Sequence, residues 1–369
     1  MDQDDFTISF SWDLQVRVNE YEFVRNDKEQ LMRQPSPRRS SIFRVEKGKL
    51  TASSKYFYNL LSSHWKEANT DQITLEEDNI TAMRVMFQCL HEIPGETSLS
   101  AGRIPLDSVS MEEVWHLVRV CDKYLAEKKA GAVHQWFVSW YHAQDKDLLF
   151  YRAVLLPCWA IDNPVAFQRS TMNLVYESPC HILEHNPTEH TELHLPPRII
   201  QQLNAARGRL RNILHNGLFN SLTQLLSAHG CSCREKTVFN YLRELHRIEV
   251  WPLENTMKHA SINDMLDRLD DFNSENVRPA SADYCSTCSR GWEGIVARAA
   301  HDVRTYFGGL CLDCMSVSKR LREGHNLDHD YWTAGRNREY DLHCRIDHGE
   351  PTWWFSFMGR RERRGLIAY

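Results

Sequence analysis

A chain of 369 residues with 42% apolar and 25% charged residues has ordinary globular composition, with room for two or three domains and a sizeable core. Its 44 basic and 49 acidic residues leave a net charge of −5, which excludes a global electrostatic pull toward nucleic acid or membrane. The N-terminus, Met1-Asp2-Gln3-Asp4-Asp5, has neither the cationic nor the apolar region of a signal peptide. The most apolar run, residues 153–161, is about half the ~20 residues a spanning helix needs, and it contains Pro157. A cytoplasmic or nuclear location is expected. In such a reducing compartment the eleven cysteines are thiols or metal ligands rather than a disulfide framework.

In chain order, Phe10, Trp12, Leu14, Val16 and Val18 alternate and predict a strand over residues 10–18. Residues 19–41 then lose the pattern in a polar, Pro/Arg/Ser-rich segment, read as a mobile, solvated insert. Between Phe43 and Ile93 the apolar period changes three times. Phe43 and Val45 alternate as a half-buried strand, whereas Leu50, Phe57, Leu60 and Leu61 fall at helical spacing, with Ser53 or Ser54 as the cap. Ile73 and Leu75 alternate again, and Met83, Met86, Phe87, Leu90 and Ile93 return to the helical period. Such alternation with short connections is one compact α/β unit. After a Gly/Ser/Pro loop over 94–108, two helices are predicted within 111–143, broken at Gly131, followed by a mostly helical stretch over 148–174.

The order of these residues carries a resemblance. Phe43, Val45, Lys47, Leu50, Ser54, Phe57, Glu67, Ala68, Ile73 and Leu75, followed by Val120-Cys121-Asp122-Lys123-Tyr124, resemble the BTB/POZ domain over about residues 8–143. Trp65-Lys66-Glu67-Ala68 and the acidic Glu76-Glu77-Asp78 are similar to BTB proteins of filamentous fungi. Two departures stand out. Glu46 occupies the position where the family usually has a His before the Lys, and the 19–41 insert replaces a short hairpin close to the usual dimer face. The resemblance implies contacts with other proteins, including homodimerisation and recruitment of a cullin-3 ubiquitin ligase. No cullin-contacting residue can be matched.

The second half reads as helical. Residues 177–194 form a Pro-bounded loop containing His181-Ile182-Leu183-Glu184-His185, formally the H-x-x-E-H pattern of inverted zinc peptidases. That chemistry needs both histidines on one long helix, and Pro179 and Pro187 leave no room for it. Pro196-Pro197 opens a long amphipathic helix that keeps its stripe from Ile199 to Leu225. Further helices are predicted over 238–249 and after Ser261, then a polar linker over 272–282 and a helix over 292–307 ended by Gly308-Gly309.

The C-terminal part also holds four pairs of soft ligands: Cys231/Cys233, Cys285/Cys288, Cys311/Cys314 and Cys344/His348. Zinc takes four thiolate or imidazole ligands in a tetrahedron, and a C-x-x-C turn delivers two of them. The two C-x-x-C pairs lie 22 residues apart, so Cys285, Cys288, Cys311 and Cys314 are read as one structural zinc site, brought together by folding back the intervening helix. Cys231, Cys233, Cys344 and His348 would furnish a second site. Spacing leaves the pairing open, with adjacent or interleaved pairs sharing a metal. The lone Cys89, Cys121, Cys158 and Cys180 are read as buried structural thiols. The surroundings of Cys311 and Cys344 also resemble the C-terminal region of the same fungal BTB proteins. The arginine-rich tail, residues 360–369, is a solvated terminus.

The expected architecture is therefore α+β. A BTB/POZ-like α/β domain (8–143) precedes a mainly helical region (144–272) and a Cys/His-rich, zinc-stabilised module (283–359). No nucleophile elbow, phosphate loop or dinucleotide fingerprint is present, so no enzyme is expected. The leading reading is an interaction adaptor. One alternative is a RING-like ubiquitin-ligase component, which requires interleaved zinc sites. Another is a zinc-dependent nucleic-acid binder, weakened by Glu323, Asp328, Asp330, Glu339, Asp341 and Asp347 diluting the basic residues of the module.

Overall fold

The structure is a computed structural model that describes residues 3–25, 31–62, 70–91, 104–227, 233–278, 285, 288, 291–314 and 344–346. It divides into two units. The first comprises residues 1–166 with 185–194, and the second comprises 167–184 with residues from 195 onward.

The first unit is organised on a four-stranded sheet of order β1-β5-β2-β6. In β2 (Leu14–Glu20) the alternation puts Leu14, Val16 and Val18 on the buried face, and β5 (Arg39–Val45) does the same with Phe43 and Val45. These two strands pair antiparallel, Val16 opposite Phe43. On the other side of β2, β6 (Gln72–Glu76) runs parallel and contributes Ile73 and Leu75. The predicted strand starts too early, because Phe10 and Trp12 are exposed and lie outside β2. Their alternation continued past the point where the ladder ends. The acidic β1 (Gln3–Thr7), which carries no alternating apolar pattern, pairs parallel with β5 and was not predicted.

The 19–41 segment contains two short strands among its described residues. β3 (Phe23–Arg25) and β4 (Leu31–Arg33) pair antiparallel, Val24 opposite Met32, a pairing the sequence pattern did not announce. Backbone pairing needs no long apolar alternation, and strands of three residues are too short to show a period.

Helices cover the apolar face. α1 (Lys47–Ser53) and α2 (Lys55–Leu60) split at Ser54, whose Oγ accepts from Phe57 N (3.1 Å) and donates to Tyr124 O (2.6 Å). α3 (Ile80–His91) inserts Phe87 against Phe43, ring centroids 5.3 Å apart, and against Phe57. α4 (Met111–Lys123) starts on a capping box between Ser110 and Glu113. α5 (Gly131–Ala143) buries Trp136, Phe137 and Trp140. The unit does not stop at residue 143. α6 (Leu148–Ala160) belongs to it, since the Trp115 indole on α4 donates to Ala153 O at 2.9 Å. A buried indole N–H requires such a partner, and this bond ties α6 to α4.

The second unit begins within α7 (Pro164–Glu177) and is dominated by α8 (Pro197–Ser227), whose stripe Leu203, Ala206, Leu210, Leu214 and Leu218 is fully buried. α9 (Arg234–Arg247), α10 (Leu253–His259) and α11 (Ile262–Asp270) follow, the last opened by a Ser261/Asp264 capping box. α12 (Trp292–Tyr306) lies on α8 at Gly217, where an added Cβ would stand 2.6 Å from Ala299 Cβ. Trp292 meets Tyr241 of α9 at 4.6 Å, and Tyr176 of α7 donates to Val303 O at 2.7 Å. α7, α8, α9 and α12 thus share one core. After α12, Gly309 takes φ +100°, and a Cβ there would come within 2.3 Å of Gln168 O, so only glycine fits. The short α10 was hidden by its brevity. Among the described residues no helix is long and apolar enough to cross a membrane.

Candidate functional site

The described thiols gather in two groups. Cys233 lies immediately before α9, and Cys285 and Cys288 precede α12. Their sulfurs all lie within 4.8 Å of one another, with Cys233 Sγ and Cys285 Sγ 3.5 Å apart. Cys288 N donates both to Cys285 O (3.0 Å) and to Cys285 Sγ (3.4 Å), which folds the C-x-x-C into a tight turn. The Trp292 indole then donates to Cys288 O at 3.1 Å and ties that turn to the first turn of α12.

The second group joins Cys311, Cys314 and Cys344, again within 4.8 Å, with Cys314 Sγ and Cys344 Sγ 3.6 Å apart. Arg345 clamps Asp313 through Nη2 (2.7 Å) and Nε (3.0 Å) to Oδ1, and its backbone N donates to Oδ2 at 2.8 Å. This charge-assisted pair holds together two segments 32 residues apart in the sequence. Burial and the adjacent Cys311 push the Cys344 thiol up to about 12. Three thiolates so close repel unless a cation lies between them.

These distances discriminate between chemistries. A disulfide needs sulfurs about 2.05 Å apart. Tetrahedral zinc with Zn–S near 2.3 Å places sulfurs about 3.8 Å apart, close to the 3.5 and 3.6 Å observed. The donor set fits zinc in both groups.

The grouping differs from the expected four-cysteine site. Cys285 and Cys288 stand with Cys233, and Cys311 and Cys314 with Cys344. The reason is α12, a rod of 15 residues, about 22 Å long at 1.5 Å per residue, which holds the two C-x-x-C turns at its opposite ends instead of folding them together. Adjacent pairs are therefore neighbours, and the interleaving needed by a RING-like cross-brace is not what these thiols adopt. Cys231 and His348 lie outside the described residues, as do residues 65–68 and the 360–369 tail.

The other sequence candidates separate cleanly. Cys89, Cys121 and Cys158 are buried, and burial pushes the Cys121 thiol up to about 12; Cys180 is exposed, contrary to expectation. Residues 178–196 contain no helix, which removes the scaffold of the peptidase pattern.

In the first unit, Asp78 is buried at the end of β6. It receives Lys123 Nζ at 2.8 and 2.9 Å and the Tyr124 phenol, so the Asp122-Lys123-Tyr124 segment locks the end of α4 onto the sheet. Burial, then the neighbouring Asp78, pushes the Tyr124 hydroxyl well above its ordinary range. Glu46, in place of the usual His, accepts from Ser9 and from Ser11 Oγ (2.9 Å), while its backbone N donates to His91 Nε2 at 2.9 Å. A third cluster, His116 with Glu189 and His190, escaped the sequence reading. His116 falls within the buried stripe of α4 and burial pushes its imidazole down to about 4. The only sequence signal was Glu112 one turn before it.

With this geometry established, comparison with protein families matches residues 38–129 to the BTB/POZ domain. The match covers β5 through the segment after α4, including the Asp78–Lys123–Tyr124 lock. No curated protein and no solved structure matches the chain.

Proposed function

We propose that this chain is a non-enzymatic protein–protein interaction adaptor, in which the BTB/POZ domain receives a protein partner and structural zinc fastens the second unit. The observation that carries the adaptor reading is the BTB/POZ match over residues 38–129. BTB/POZ domains are commonly interaction modules. The partners in view are a second copy of the chain and the N-terminal region of a cullin-3. The likeness to BTB proteins of filamentous fungi rests largely on residues 65–68 and on the cysteine-bearing region.

The zinc part rests on the thiol spacing. Each group supplies three sulfurs, and each has a fourth soft ligand close by in sequence, Cys231 two residues before Cys233 and His348 four residues after Cys344. Four protein ligands leave no position for water or substrate, so these ions would stabilise the fold and catalyse nothing.

The adaptor is tested on the purified full chain. Light scattering across a concentration series reports self-association, and titration with the cullin-3 N-terminal region reports recruitment. Self-association or a stoichiometric cullin complex supports the reading. A chain that stays monomeric and binds no cullin overturns both named partners.

A further inference from the structure

The first unit holds a cluster of a different chemistry. On α4, His116 is 8% exposed, and neither of its ring nitrogens has a hydrogen-bond partner among the described residues. Its nearest charged neighbour is Glu112, one turn earlier, whose Oε1 stands 3.9 Å from His116 Nε2. The ring faces a cleft of about 150 Å³ whose lining also includes Glu112, Glu189, His190 and Arg119.

Across that cleft the 185–194 segment is folded to present His190. Asn186 Nδ2 donates to His190 O (2.8 Å) and Leu193 O (3.0 Å), and Asn186 Oδ1 accepts from Thr188 N (2.8 Å). The His190 ring is 7% exposed and stands edge-on to His116, centroids 5.4 Å apart. Its Nδ1 lies 3.2 Å from Glu192 Oε1, and its Nε2 lies 3.4 Å from Glu189 Oε1. A carboxylate on one ring nitrogen fixes the ring and frees the other nitrogen to ligate, the arrangement that accompanies metal-bound histidines. One ligand atom each from His116, Glu189 and His190 lies within 4.8 Å of the others. Tetrahedral zinc with N and O ligands at about 2.0–2.2 Å separates those atoms by about 3.3–3.5 Å, which the Glu189–His190 pair already meets.

We propose that His116, His190 and Glu189, with Glu112 as the fourth ligand, form a structural site for a divalent transition metal of the zinc class, which staples the 185–194 loop to α4. Two imidazoles and carboxylates suit zinc better than the oxygen-seeking magnesium or calcium. Two cations oppose it, Arg119 and Arg38. Arg119 donates to Glu77 O at 3.1 Å, and the acidic lining exceeds the pair in number. The site is independent of the cysteine groups in ligands and in the unit that carries it.

The test counts zinc on the full chain after dialysis against buffered Zn²⁺, for wild type, His190→Gln, His116→Gln and Cys288→Ser. His190→Gln loses one equivalent relative to wild type while keeping the wild-type far-UV circular dichroism; Cys288→Ser retains that equivalent. Cobalt substitution separates the chemistries. The spectrum lost in His190→Gln lacks the sulfur-to-cobalt charge-transfer band. Equal zinc content in wild type and His190→Gln overturns the proposal, as does a lost spectrum that carries the thiolate band. His116→Gln, if folded, repeats the loss; if it does not fold, His190→Gln on the surface loop decides alone.

Discussion

The first unit closes around aromatic rings, whereas the second carries clustered thiols beside both ends of α12. In the first, Phe43, Phe87, Phe57 and Tyr124 form a continuous series of ring contacts beneath the sheet, and Asp78 pins the last of them. In the second, α8 and α12 supply an apolar core, but the segments beyond both ends of α12 are gathered by sulfur. The difference teaches where each unit is vulnerable. A core of rings loses stability by increments as contacts are removed. A segment held by the proposed zinc would lose everything that ion holds when one ligand goes.

The largest effect is expected at Cys288. Cys288→Ser removes a ligand of the group beside α12, and structural zinc contributes on the order of 10 kcal/mol in small metal-folded domains. Metal analysis should show zinc lost, and limited proteolysis should cut the second unit while sparing the first. Unchanged zinc and unchanged protease resistance would remove the contrast between the units. Next comes Phe57→Ala, which empties a fully buried site between Phe87 and Tyr124. It should cost the first unit about 3–5 kcal/mol in denaturant unfolding, without changing the zinc content.

A smaller effect is expected at Glu244, buried on α9, which tests whether the second unit also depends on charge. Burial would raise its carboxyl, but hydrogen bonds from Arg247 Nε (2.9 Å), Asn273 N (2.9 Å) and Asn276 Nδ2 (2.8 Å) prevail and hold it below the ordinary carboxylate range. A depressed folded value contributes stability above the unfolded pKa of about 4.3, lost as pH falls through the folded value. Glu244→Gln should lower stability at pH 7 by about 2–3 kcal/mol and flatten the acid limb of the unfolding curve. A variant with the wild-type acid limb would contradict it. The mildest is Ser110→Ala, which deletes one half of the α4 capping box and should cost about 1 kcal/mol, read as a small shift of the first transition alone.

Periodicity made most of the elements legible. The alternation of Phe43 with Val45 and of Ile73 with Leu75 marked β5 and β6, and the stripe from Ile199 to Leu225 marked α8 nearly to its ends. It failed where pairing is made by backbone alone. β1 is mainly polar, and β3 and β4 are only three residues each, too short for a period to show. The cysteine pairs were legible as pairs, because C-x-x-C is a local pattern.

By itself, then, the sequence determined local facts: the strands β2, β5 and β6, the helical stripes that follow them, and the identity of the thiols. Which thiols meet was decided only by the tertiary structure. α12 is a straight rod whose two ends cannot touch, and the distance between them selects Cys233 for one turn and Cys344 for the other. The same holds for His116 and His190. They are 74 residues apart in the chain, and no periodicity relates them; only the fold of the 185–194 loop brings one ring to the other.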